Sequence, residues 1–134
     1  MLLLFFVSGN GGQRQNMKLT IVVSNIKSIK GKIEIALYNS PETFPKDNQE
    51  FKSKSVLVKS DSVRCTFIVD TGYFAVALYH DGNSNNICDA NILGIPKESY
   101  GFSNDIKPFL SAPSFSSTKF LVRNDTIIHI KLNK

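Results

Sequence analysis

The chain carries no G-x-S-x-G elbow, no H-E-x-x-H pair and no glycine-rich phosphate cradle. Nucleophilic hydrolysis, zinc-dependent proteolysis and nucleotide chemistry therefore have no motif to rest on. It also lacks a module of clustered basic residues. The formal charge is +5, but Lys18, Lys27, Lys30, Lys32, Lys52, Lys54 and Lys59 are scattered along the chain. A nucleic-acid binder concentrates such charge on one face, so these lysines read as a solvated surface with no nucleic-acid partner. No apolar run is long enough to span a bilayer. Tryptophan is absent, and ten phenylalanines with four tyrosines supply much of the packing volume.

What remains is the profile of one soluble domain. The 134 residues can bury a real core, and 42% apolar with 20% charged residues argues against wholesale disorder. The exception is the N-terminus, where Leu2 to Val7 is wholly apolar and is followed by Ser8, Gly9, Asn10, Gly11, Gly12 and Gln13. That order matches the end of a secretory signal and its cleavage zone, with the basic leading region missing. The expected division is a signal remnant over 1–15, starting from a misplaced start codon, and one mature domain over 16–134. The expected location is extracytoplasmic, periplasmic or secreted. Cys65 and Cys88 fit export, but sequence cannot decide whether they pair, and two separate thiols is the preferred reading.

From residue 17 onward, side chains alternate with a period of two. Leu19, Ile21 and Val23 form one face of a strand, and Ile33, Ile35 and Leu37 repeat the pattern. Residues 53–59 and 62–70 read as a hairpin about Ser60-Asp61. Tyr73 to His80 is apolar on both faces, which suits a central strand. Phe120 to Val122 and Ile127 to Leu132 add two more, separated by Asn124-Asp125. Ser40-Pro41-Glu42 can open a helical turn, with Phe44 and Phe51 pinning it to the sheet. The tally is all-β: an antiparallel, seven-stranded β-sandwich of prealbumin-like or Ig-like type.

One connection, residues 81–118, is far too long for a simple turn. It holds Pro96, Pro108 and Pro113 and no sustained alternation, and such loops are usually ordered for a reason. It opens with oxygen-bearing side chains at alternate positions: Asp81, Asn83 and Asn85, then Asp89. With the Ile87 carbonyl, these occupy positions one, three, five, seven and nine of a calcium-type loop. Position twelve is Ile92 instead of a bidentate Glu, so this is not an EF-hand; Glu98, Asp105, a carbonyl or water would complete the shell. Two formal charges imply weak calcium binding, on the order of 10⁻⁴–10⁻³ M. An Asn-rich turn bonded to its own backbone explains the same residues about as well.

Further along, Tyr100, Phe102, Phe109 and Phe115 fit either a platform for sugar rings or a partner, or staples that hold the loop to the sandwich; burial of aromatics favours staples. His80 and Asp81, with Ser99, Tyr100 and Ser103 nearby in sequence, offer the ingredients of a hydrolase without its arrangement. His129 falls on the polar side of its strand.

The order Gly31-Lys32-Ile33, Ala36-Leu37-Tyr38, Thr71-Gly72-Tyr73, Ala77-Leu78-Tyr79-His80-Asp81 and Asn83-Ser84-Asn85 resembles a family of small exported bacterial proteins, domain of unknown function 2141. The block Gly94 to Asn104 (GIPKESYGFSN) is the most specific part, and the resemblance covers roughly residues 17–132. It implies an extracytoplasmic domain resembling prealbumin-like sandwiches, with no established activity. Members commonly carry Gly where this chain has Asn86, a residue that still tolerates a left-handed backbone. The resulting expectation is a monomeric, exported, non-enzymatic module that binds a protein or carbohydrate and carries a weak calcium site. The alternative is a small hydrolase centred on His80 and the 81–118 loop.

Overall fold

Strands that alternate buried and exposed residues can be stable only when their apolar faces meet, and here they meet as two facing sheets. The structure is a computed structural model that describes residues 16–83 and 98–133. Its strands are β1 (Met17–Ser24), β2 (Lys32–Tyr38), β3 (Lys52–Leu57), β4 (Val63–Val69), β5 (Gly72–Asp81), β6 (Tyr100–Phe102), β7 (Phe120–Val122) and β8 (Thr126–Lys131). One sheet has the order β4-β1-β8; the other runs β3-β2-β5-β6, with β7 also paired to β5.

The sandwich and its all-β character stand as expected, but among the described residues there are eight strands, not seven. The additional strand is β6, three residues long and set inside the long connection, where so short a run shows no alternation to read. One pairing is parallel, that of β1 with β8 (Leu19 opposite Thr126, Val23 opposite Ile130). The expected hairpin of residues 53–59 with 62–70 does not form. β3 pairs with β2 and β4 pairs with β1, so the turn at Ser60–Ser62 carries the chain from one sheet to the other. The turn at Asn124-Asp125 does the same, because β7 lies on β5 and β8 on β1. Each choice follows burial. β4 turns Val63, Cys65, Phe67 and Val69 inward and pairs along its whole length with apolar β1, whereas β3 is largely exposed and settles at an edge.

The main core fills the space between the sheets with Met17, Leu19, Ile21 and Val23 from β1, Ile33, Ile35 and Leu37 from β2, and Phe74, Val76 and Leu78 from β5. Fully burying such a side chain contributes about 1.5–3 kcal/mol. Cys65 is a free thiol inside this core; burial pushes its pKa up to about 11, against the pull of Lys54. Cys88 lies outside the described residues.

A second, smaller cluster sits on the opposite face of the larger sheet. Phe44 packs edge-on against Tyr38, Phe102 and Phe115, with ring centroids 5.1, 6.2 and 6.0 Å away, over Ala75 and Ala77. Phe44 is delivered by a turn in which the Ser40 hydroxyl accepts from the Glu42 amide and the Ser40 carbonyl accepts from the Phe44 amide. A cis peptide joins Phe44 to Pro45.

Candidate functional site

The register of the larger sheet determines what its outer face presents. Alternation sends Ile33, Ile35 and Leu37 inward, so Glu34, Ala36 and Tyr38 point out. Cross-strand pairing then lines up Ser53, Ala36, Ala77 and Phe102 as one row, and Ser55, Glu34, Tyr79 and Tyr100 as the next. Two alanines side by side in the middle of a sheet leave a depression. The segment around Pro45, Asp47, Asn48 and Glu50 and the aromatic rings of Tyr38, Tyr79, Tyr100 and Phe102 stand around it. The resulting trough has a volume of about 430 Å³, within the usual range for small-ligand sites.

The electrostatics of the trough are one-sided. β3 reads Lys-Ser-Lys-Ser, and its period of two places Ser53 and Ser55 on the trough side. Lys52 and Lys54 go the other way; Lys52 Nζ lies over the Phe51 ring, and Lys54 Nζ lies over Phe67 and donates to the Thr66 carbonyl. Glu34, Asp47 and Glu50 line the trough, and among the described residues no lysine or arginine does. Glu34 accepts from the Ser55 hydroxyl at 2.6 Å and pairs with Lys32 Nζ at 3.2 Å. Among the described residues Asp47 and Glu50 form no ion pair. Their charge is felt at Tyr38, whose phenol is pushed up to about 12, first by burial and then by Glu50 and Asp47. The Tyr38 hydroxyl donates to the Lys46 carbonyl at 3.0 Å.

The residues singled out from sequence divide into three groups. Of the calcium-type loop, Asp81 ends β5 fully buried and Asn83 is exposed, while Asn85, Ile87 and Asp89 lie outside the described residues. Glu98 Oε2 accepts from the Gly82 amide at 3.2 Å, bringing the two ends of that loop together. Among the described residues, no three His, Cys, Asp or Glu side chains are grouped to hold a metal ion.

The second group surrounds His80. Its Nε2 lies 2.7 Å from the Lys30 carbonyl, an acceptor only, so that nitrogen carries the proton. Ser99 meets His80 through backbone, its carbonyl accepting from the His80 amide at 2.8 Å. Ser103 is fully buried; its hydroxyl accepts from the Val76 amide at 3.0 Å and donates to the Thr118 carbonyl at 2.6 Å. These bonds tie both side chains to the backbone of neighbouring segments. His129 is exposed.

The third group is the loop aromatics, which split between the two roles weighed for them. Phe102 and Phe115 staple, Tyr100 and Phe102 also form trough wall, and Phe109 is 83% exposed and does neither. Gly101 serves close packing: a Cβ there would lie 2.7 Å from Ile130 Cγ2. Sequence reasoning gave no site role to Ala36, Ala77, Asp47 or Glu50. The available signal was small residues on the outward positions of two adjacent apolar strands.

A family model described as "Uncharacterized protein conserved in bacteria (DUF2141)" matches residues 21–129. No curated protein and no solved structure is matched by the chain. Among the described residues no helix is long and apolar enough to cross a membrane.

Proposed function

The chain belongs to the DUF2141 family of uncharacterised bacterial proteins, and from that premise we propose that it is an exported, monomeric, non-enzymatic binding module whose ligand occupies the trough. The observation that carries this reading is the trough itself, about 430 Å³ walled by four aromatic rings and rimmed by carboxylates. Half-exposed aromatics around a floor of alanines leave apolar surface open to solvent, a cost a fold ordinarily avoids unless something covers it. The monomer is supported by β3, an edge strand whose Lys52 and Lys54 discourage pairing with a second sheet. Export is supported by the apolar segment Leu2 to Val7.

The test is a thermal-melt screen of neutral sugars, amines and small acids, run in parallel on Ala77→Trp. A ligand that binds only the native state raises the melting temperature. Ligands that stabilise the native protein should lose their effect when the indole fills the trough, while the unliganded variant keeps its strand spectrum. If no stabilising ligand responds to the substitution, the trough is not the site.

A second reading concerns calcium. It is favoured by Glu98, whose carboxylate accepts from the amide of Gly82, the residue that follows buried Asp81 in the chain. An ion held by Asp81, Asn83, Asn85, the Ile87 carbonyl and Asp89 would order the connection that leads into the Tyr100 wall. Millimolar calcium should then raise the melting temperature, and Asp89→Asn should remove the rise. An unchanged melt removes the ion from the account.

A further inference from the structure

We propose that the trough takes small organic ammonium ions, seating a quaternary or primary ammonium group between its aromatic wall and its carboxylate rim. This rests on reading the trough as the binding site and names the chemistry it selects.

The first ground is charge complementarity set against the whole molecule. The chain is basic, with a formal charge of +5, yet among the described residues the trough is lined by Glu34, Asp47 and Glu50 and by no cationic side chain. The separation is built into the strands, since β3 alternates serines toward the trough and lysines away from it. Lys32 offsets part of the Glu34 charge, but Asp47 and Glu50 are uncompensated among the described residues. An anionic ligand would meet these carboxylates with no counter-charge. A neutral ligand would gain nothing from them.

The second ground is the wall. Tyr79, Tyr100 and Phe102 are half-buried, so they remain able to receive a ligand; Tyr38 is buried beneath. Aromatic faces attract ammonium groups through the ring quadrupole, and rings placed with carboxylates are the usual receptor for such cations. The third ground excludes the competing cation. A bare divalent metal needs several oxygens converging on a point at 2.0–2.6 Å, as a rough guide. The trough carboxylates are not grouped that way. Dispersed negative charge beside aromatic surface fits a cation whose charge is spread over a larger, partly apolar body.

The experiment is an amide-shift NMR titration of the full chain with four probes. Two are ammonium ions, choline and 1,5-diaminopentane; two are their uncharged counterparts, 3,3-dimethylbutan-1-ol and pentane-1,5-diol. At least one ammonium probe should move the Ala36, Ala77 and Tyr79 amides and bind about tenfold more tightly than its neutral counterpart, as one lost charge-assisted contact would give. Which one responds distinguishes a quaternary from a primary ammonium ligand. The double substitution Asp47→Asn with Glu50→Gln, at solvent-accessible positions, should cost about tenfold in that affinity and leave the melting temperature unchanged. Equal binding of a neutral counterpart would overturn the ammonium assignment and leave the trough standing as a site. Shifts confined to residues outside the trough, or no shift with either ammonium probe, would also overturn it; the screen with Ala77→Trp then decides the trough separately.

Discussion

The two faces of the larger sheet are made by the same strands and serve opposite ends. On the inner face β2 and β5 present Ile33, Ile35, Leu37, Val76 and Leu78, branched side chains that interlock with the facing sheet. On the outer face the same strands present Glu34, Ala36, Tyr38, Ala75, Ala77 and Tyr79, a mixture with a hollow in it. Close packing maximises dispersion contacts and leaves no volume; the outer face gives up those contacts and keeps a cavity. The contrast teaches that a residue's contribution here depends on parity along the strand. One step along β2 separates a side chain locked in the core from one that faces the trough.

That contrast can be broken or sharpened by substitution. The largest effect is expected at Leu37→Ala, a fully buried position in the middle of the inner face. It should cost about 3–5 kcal/mol in urea unfolding, with ligand affinity of the folded fraction unchanged. Phe44→Ala removes the key of the outer cluster. It should cost about 2–3 kcal/mol, less than a wholly enclosed Phe, but it also frees the segment carrying Asp47 and Glu50 and should weaken binding. If Phe44→Ala left binding intact, the segment carrying Asp47 and Glu50 would have no part in it, and the ring would serve the fold alone.

Ser103→Ala comes next. It strips the buried Val76 amide and the Thr118 carbonyl of their shared partner, an expected loss of about 1–3 kcal/mol.

A titration compares the core with the outer face, because each holds one displaced proton, the core's being that of Cys65 on β4 of the facing sheet. Cys65 inside is raised from 9.0 to about 11, mainly by burial. Tyr38 outside is raised from 10.0 to about 12 by burial, with Glu50 and Asp47 adding to it. In both cases the folded state holds the proton more tightly, so the contribution is full at neutral pH. It should fade as pH climbs from 9.0 toward about 11 for Cys65 and from 10.0 toward about 12 for Tyr38. Unfolding curves across this range should steepen in their loss, and Cys65→Val should delay the onset. Salt should trim only the part of the Tyr38 shift owed to the two carboxylates. The smallest effect belongs to Phe109→Ser, which should stay within about 0.5 kcal/mol, since this ring touches neither face.

Much of the sandwich was legible because burial alternates so regularly in β1, β2 and β4. Its connectivity was less so. Ser60-Asp61 and Asn124-Asp125 announce reversals, but the same turn chemistry serves a hairpin and a crossing between sheets. Only the competition for partners decides, and that is not local. β6 escaped because a three-residue strand contains a single alternation. The trough escaped for a related reason. Ala36 and Ala77 are unremarkable until register sets them opposite each other, and Asp47 and Glu50 become neighbours of Tyr38 only after the Ser40–Phe44 turn folds back. The block Tyr100-Gly101-Phe102-Ser103-Asn104, noticed first as a signature, turns out to be a clasp. Gly101 admits Ile130, Ser103 bridges two elements, and Asn104, at φ 63°, donates to the Ser117 and Lys119 carbonyls.

The parallel pairing of the first strand with the last has a consequence for the life of the chain. β1 gains its second neighbour only when residues 126–131 exist, and Tyr100 is clasped through backbone bonds to Asn133. A nascent polypeptide still lacking those residues has one flank of its oily interior uncovered, however much of it has emerged. Contacts so distant in sequence form slowly. The architecture thus delays its own completion until residues 126–133 have been made, and every stretch before them waits half-covered.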